Sequence, residues 1–101
     1  MVVQTRENTS QILQKRDDRL LVIVGPCSVH DPIPAKEYRE RLAKIRVALA
    51  NQLEIVMSVY FEKPRTRVGW KGLINDPDLD GQFDVNKGLQ TARKLRVRFS
   101  D

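Results

Sequence analysis

The distribution of apolar positions along the chain predicts two buried strands. Residues 20–24 are continuously apolar and end at Gly25 and Pro26, and residues 54–61 repeat this apolar, β-branched character. Short runs without polar alternation are typical of parallel strands that are covered on both faces. We therefore predict strands over residues 20–24 and 54–61 in one parallel sheet.

A helix is predicted between the two strands, over residues 35–50. Its apolar positions recur at helical spacing and fall on one face: Tyr38, Leu42, Ile45 and Leu49. The order strand, helix, strand then describes a βαβ unit, whose crossover is right-handed almost without exception. The segment before this helix, residues 25–34, contains Pro26, Pro32 and Pro34, and we expect it to be a stiff, irregular loop.

Two further helices flank this unit. A weak amphipathic pattern predicts a short N-terminal helix over residues 2–14, and apolar positions spaced by three predict a third helix around residues 89–95 with Asn86 as its N-cap. Residues 62–84 between the second strand and this helix form a long loop, and loops of that length are functional or disordered. The chain thus divides into an N-terminal helix and lead-in, residues 1–19, and an α/β domain, residues 20–101.

The start of the long loop carries the strongest chemical pattern. Lys63, Arg65, Arg67 and Lys71 follow the second strand closely, interrupted by Pro64. Arginine grips phosphate through two parallel hydrogen bonds, and lysine supplies a compact charge. The segment is therefore either a site for a phosphorylated or carboxylated small molecule or a solvated surface loop.

The loop after the first strand offers a thiol to the same region. Ligands of parallel sheets collect beyond the carboxyl ends of the strands, so Cys27 and the cationic segment are expected to open toward one side. Cys27 is either a nucleophile or metal ligand, or a small buried hydrophobe. A metal cluster of Cys27, His30 and Asp31 matches no closed zinc pattern. We expect His30 to be a hydrogen-bonding turn residue and Trp70 to pack the long loop down.

Composition restricts the function classes. The formal charge is +5, but 13 acidic residues are interleaved with the basic ones and aromatic residues make up 6%, so no nucleic-acid site is predicted. No apolar run approaches the ~20 residues that a membrane span requires. The single cysteine and the lack of a signal-peptide pattern favour the cytoplasm.

Two long motifs follow the two predicted strands. The first is residues 25–32, Gly-Pro-Cys-Ser-Val-His-Asp-Pro. The second is residues 59–66, Val-Tyr-Phe-Glu-Lys-Pro-Arg-Thr, continued by residues 68–77, Val-Gly-Trp-Lys-Gly-Leu-Ile-Asn-Asp-Pro. In this order they resemble the type I class of 3-deoxy-D-arabino-heptulosonate-7-phosphate (DAHP) synthase, also called phospho-2-dehydro-3-deoxyheptonate aldolase. The resemblance extends from about residue 17 to residue 95.

The resemblance implies a fold, a reaction and site residues. Members of the class are (β/α)8 barrels, and this chain would form the first two β/α units, an incomplete barrel after a short N-terminal helix. They condense phosphoenolpyruvate with erythrose 4-phosphate, giving DAHP and phosphate in the first step of aromatic amino acid biosynthesis. Cys27 then ligates a divalent metal such as manganese or iron, catalytic Lys63 contacts both substrates, and the aldose phosphate lies against three neighbours: Pro64, Arg65 and Thr66.

The resemblance also marks departures. Ser58 stands where the class has an arginine that binds phosphoenolpyruvate, and a hydroxyl cannot replace a guanidinium. A full barrel has ~250 residues, and the remaining metal ligands, a histidine, a glutamate and an aspartate, are expected on later strands. We therefore expect the 101-residue chain to be an enzyme by family and inactive by itself. The alternative is an inactive remnant or a binding module that docks on a full-length synthase, whose class is oligomeric, or binds a phosphorylated metabolite.

Overall fold

Three helices and two strands make up the computed structural model, which describes residues 2–26, 28–62 and 69–100. In chain order, the elements are α1 Val2–Leu13, β1 Leu20–Val24, α2 Pro32–Ala48, β2 Leu53–Met57 and α3 Val85–Ser100. The N-terminal helix and the first strand have the predicted positions. In the described part of the chain, no helix combines the length and the apolarity that a membrane crossing requires.

The two strands pair in parallel, as predicted. Leu20 is aligned with Leu53 and Val24 with Met57, so the strands begin and end together. Helix α2 connects them, because a parallel pair requires a crossover connection. The predicted βαβ unit is confirmed.

Helix α2 begins earlier than predicted. Residues 32–34 were expected to be irregular because of Pro32 and Pro34, but both lie in the first turn of the helix. Proline is tolerated there because the first N–H groups of a helix have no partner within it. The Asp31 side chain accepts a hydrogen bond from Ile33 N at 3.0 Å and caps the helix.

Two other boundaries differ from the prediction. Strand β2 ends at Met57 rather than at residue 61. Helix α3 is capped by Asp84, whose carboxylate accepts a hydrogen bond from Lys87 N at 3.1 Å, rather than by Asn86. The apolar sequence continues beyond Met57, the last residue of β2 that pairs with β1, so apolarity did not locate the end of the strand. Aspartate is as good an N-cap as asparagine.

One buried hydrophobic cluster lies outside the two strands, and Ile55 of β2 is buried as well. Leu73 is 1% exposed and packs with Val29, Ala35 and Leu95, and partly buried Trp70 lies against this cluster. The expectation that both strands are covered on both faces is wrong for β1, where Leu20 and Ile23 are 64% and 67% exposed.

Candidate functional site

The carboxyl ends of the strands place two loops side by side. Ser58 N, directly after β2, donates to Val24 O at 2.9 Å, and Val29 N then donates to Tyr60 O at 2.9 Å. The segment after β1 therefore runs along the segment after β2 with backbone hydrogen bonds between them.

Gly25 allows this close approach. A Cβ atom at this position would overlap the carbonyl oxygen of Ser58. Only glycine lets the two backbones lie at this separation, which explains why the loop after β1 opens with glycine rather than with a residue that has a side chain.

The predicted site residues lie outside the described part of the chain. These are Cys27, Lys63, Pro64, Arg65 and Thr66. Their described neighbours Pro26 and Ser28 belong to the loop after β1, and Glu62 follows the paired segment after β2. Both segments thus leave the sheet at its carboxyl end, and the roles assigned to the five residues stay predictions.

Trp70 fixes the return of the long loop. Its Nε1 donates to Asp76 O at 2.7 Å, and Ile74 N donates to Phe61 O at 3.1 Å. The indole also meets His30 edge to face, with ring centroids 6.2 Å apart. Trp70 therefore packs the loop as predicted, and the interaction of His30 is a ring contact rather than the hydrogen bond we expected.

The described residues do not form a metal centre. Within residues 2–26, 28–62 and 69–100, no three His, Cys, Asp or Glu side chains are gathered closely enough to hold a metal ion. Asp31 Oδ1 accepts the hydrogen bond from Ile33 N that caps α2. From the sequence, we considered Cys27, His30 and Asp31 as a metal cluster. In the structure, Asp31 caps α2 and His30 contacts Trp70.

A network of charged residues at the opposite end of the sheet was not predicted. Glu54, 3% exposed at the start of β2, accepts hydrogen bonds from Arg46 at 3.0 Å and from Arg19 at 3.1 Å. Asn8 of α1 donates to the same carboxylate at 3.3 Å. This cluster ties α1, β1, α2 and β2 together. In the sequence, the one sign of this network was Glu54, a single charged residue at the start of an apolar run.

Arg19 also pairs with Asp17 at the edge of this network. A bidentate hydrogen-bonded contact between them lowers the pKa of Asp17 and raises the pKa of Arg19. In both cases the direct hydrogen bond is the main cause. Both groups therefore stay charged over the neutral range, which suits a structural role.

A broad groove of about 1040 Å³ lies elsewhere, among α1, α2 and the end of α3. Its walls are mainly apolar, with Leu42, Ile55 and Phe99 among them. Its cations Arg6, Arg39, Arg46 and Arg96 come from separate turns of three helices. The cations after β2, in contrast, lie close together in the sequence. The groove therefore does not replace the carboxyl end as the candidate site.

Comparison with known proteins gives this arrangement a family. The profile of the DAHP synthetase I family matches residues 2–98. The chain belongs to this family. The fold predicted from the resemblance, α/β with the first β/α units of a (β/α)8 barrel after an N-terminal helix, is likewise confirmed, because a solved DAHP synthase superposes on nearly the whole chain.

That structure is phospho-2-dehydro-3-deoxyheptonate aldolase from Francisella tularensis SCHU S4, with a TM-score of 0.93 and 47% identity over 98% of this chain and 29% of the other. The Phe-sensitive aldolase of Escherichia coli K12 is 58% identical over 100 residues, 99% of this chain and 29% of that protein. The aldolase of Amycolatopsis methanolica is 57% identical over 98% of this chain and 49% of its own length. The chain thus spans about 29% of the length of most of these relatives.

Proposed function

We propose that this chain forms the part of a DAHP synthase that binds the aldose phosphate and supplies one thiolate, that of Cys27, as a ligand to the metal. The reaction is condensation of phosphoenolpyruvate with erythrose 4-phosphate, the activity implied by the family, in the cytoplasm. Lys63 contacts both substrates, Arg65 and Thr66 hold the phosphate, and Pro64 shapes the pocket. The observation that carries this proposal is the hydrogen bond from Val29 N to Tyr60 O, which joins the loops that carry these residues.

The chain's own residues bind and orient rather than complete a catalytic centre. A guanidinium and an ammonium beside the phosphate offset its charge, and the stiff proline between them limits how far they can separate. One thiolate does not hold a catalytic divalent ion, and the described residues add no cluster that would. We therefore expect the isolated chain to bind phosphate but not to turn over.

Two measurements on the purified chain test this proposal. An assay with both substrates and manganese should give no DAHP, and measurable turnover would refute the expected inactivity. Titration with erythrose 4-phosphate should show binding that Arg65→Ala removes. Arg93→Ala, an exposed charge on α3, is the matched control and should bind as the unchanged chain does. Equal binding by both variants would refute the phosphate site.

Docking on a full-length synthase is a second candidate function. It is favoured by the exposed apolar side chain of Ile23 on β1, which is 67% exposed. Exposed apolar patches mark interaction surfaces in many proteins. Mixing this chain with a full-length relative should then give co-elution in size-exclusion chromatography that Ile23→Asp abolishes. Separate elution of the unchanged chain would exclude docking without affecting the phosphate site.

A further inference from the structure

The loop that leads into α3 contains acidic residues at alternating positions. Asp76, Asp78 and Asp80 are followed directly by Gly81, and Asp84 completes the set one residue before the helix. The proposed function uses none of them.

Asp76 is the key residue of this loop, because its carboxylate is buried and only one of its two oxygens has a hydrogen-bond partner. The residue is 6% exposed, its Oδ2 accepts a hydrogen bond from Gly81 N at 3.2 Å, and its Oδ1 has no hydrogen-bond partner. The bond to Gly81 turns the carboxylate into the loop that the acidic residues form. Nearly all buried polar atoms in proteins are paired, so a buried anionic oxygen without a partner indicates a binding partner of positive character.

The spacing matches the first half of a calcium-binding EF-hand loop. That loop has acidic ligands at positions 1, 3 and 5, glycine at position 6, a backbone carbonyl at position 7 and a glutamate at position 12. Counting from Asp76, Gly81 is the glycine, with a φ of 74° that favours glycine, and Gln82 supplies the carbonyl. The last position is Lys87 rather than glutamate.

Lys87 supplies a positive charge to this loop at present. Its Nζ donates to Asp78 Oδ1 at 2.6 Å. This hydrogen bond is the main cause that raises the pKa of Lys87, and the charges of Asp78, Asp84 and Asp80 add to it. Because Asp78 is turned toward Lys87, three carboxylates are not yet gathered in the described residues. A cation can bind all three carboxylates only if it displaces the Lys87 ammonium group from Asp78.

We propose that the loop from Asp76 to Gln82 binds a hard divalent cation of the calcium class through three carboxylates and one backbone carbonyl. The cation takes the unpartnered oxygen of Asp76 and competes with Lys87 for Asp78. Without the glutamate of the full motif, the dissociation constant falls in the weak range, on the order of 10⁻⁴ to 10⁻³ M. This site is separate from the metal assigned to Cys27. It would fix the loop between Trp70 and α3.

Terbium luminescence tests the proposal directly on the full chain. Terbium replaces calcium at oxygen sites, and the only tryptophan, Trp70, bonds to the backbone of Asp76 and serves as the sensitiser. Excitation of the indole should give saturable terbium emission that calcium displaces. Cys27→Ala should leave it unchanged, because the loop does not use the thiol.

Single substitutions distinguish a defined cation site from nonspecific attraction of cations to negative charge. Asp76→Asn should weaken terbium binding by at least about tenfold, whereas Asp18→Asn, an exposed carboxylate at the other end of the sheet, should not change it. Lys87→Gln should tighten binding because the competing ammonium is gone. If circular dichroism shows that Asp76→Asn does not fold, Asp80→Asn at an exposed position takes its place. Unsaturable emission, equal binding by the Asp76 and Asp18 variants, or no gain in Lys87→Gln would overturn the proposal.

Discussion

The two ends of the sheet each bury one carboxylate and treat it differently. At the amino end, both oxygens of Glu54 accept hydrogen bonds, from Arg46, Arg19 and Asn8. At the carboxyl end, Asp76 is almost as buried but has one paired oxygen and one without a partner. A buried carboxylate with both oxygens hydrogen-bonded holds elements together, whereas a buried oxygen without a partner is available for a ligand.

This difference agrees with the division of labour in (β/α)8 barrels. Residues at the amino ends of the strands contribute stability, and loops at the carboxyl ends carry binding and chemistry. In this chain the amino end joins elements through one glutamate, and the carboxyl end joins two loops through backbone hydrogen bonds. Substitutions at the two ends should therefore produce different kinds of loss.

The largest expected effect is on stability at the amino end. Glu54→Gln leaves Arg46, which is 28% exposed, without its countercharge, and removes one of the two carboxylates that Arg19 contacts. Breaking a buried ion pair in this way costs about 3–5 kcal/mol, so the free energy of unfolding measured with urea should fall steeply. Glu40→Gln, in an exposed pair with Lys36, should change it by less than about 0.5 kcal/mol. Equal losses in the two variants would contradict the structural role of the amino end.

A gain of ligand binding is expected at the carboxyl end. Ser58→Arg restores a guanidinium beside the two loops, where a hydrogen bond to a charged group contributes about 1.5–3 kcal/mol. Affinity for phosphoenolpyruvate, measured by calorimetry, should rise by about tenfold or more. Ser58→Gln supplies length without charge and should give no gain. Unchanged affinity in the arginine variant would show that phosphoenolpyruvate does not bind beside residue 58.

A smaller effect is expected where the loops approach each other. Gly25→Ala pushes a methyl group into the Ser58 carbonyl, and such overpacking costs about 1–3 kcal/mol. Because the loops must separate, binding of erythrose 4-phosphate should weaken together with stability. Gly81→Ala meets no atom within 4 Å. It should therefore reduce stability through its backbone angle alone and leave phosphate binding unchanged. Unchanged affinity for erythrose 4-phosphate in Gly25→Ala would show that binding does not depend on the spacing of the two loops.

The smallest effect concerns pH and Asp17. Because the pKa of Asp17 is lowered by Arg19, its contribution to stability is present above its ordinary value of 3.8 and is lost as the pH falls through the lowered value. Acid unfolding of the Asp17→Asn variant should thus depend less on pH below 3.8 than that of the unchanged chain. Identical acid profiles would show that the pair with Arg19 forms equally in the unfolded chain.

The sequence predicted the parts of the fold that depend on local patterns. Short, mainly apolar runs located β1 and β2, and helical spacing located α2. Pro32 was misleading because proline both breaks helices and begins them, and only Asp31 as a cap resolves which applies. The partners of Glu54 and the unpaired oxygen of Asp76 depend on contacts between distant segments, which periodicity does not reveal.

The central claim is that Cys27 and the cationic segment share one end of the sheet, and paramagnetic relaxation tests it most directly. A nitroxide attached to Cys27, the only cysteine, should broaden the amide resonances of Glu62 and Gly69, which flank that segment. The amide of Asn51 at the amino end should stay sharp. Broadening of Asn51 with sharp signals from Glu62 and Gly69 would contradict the account.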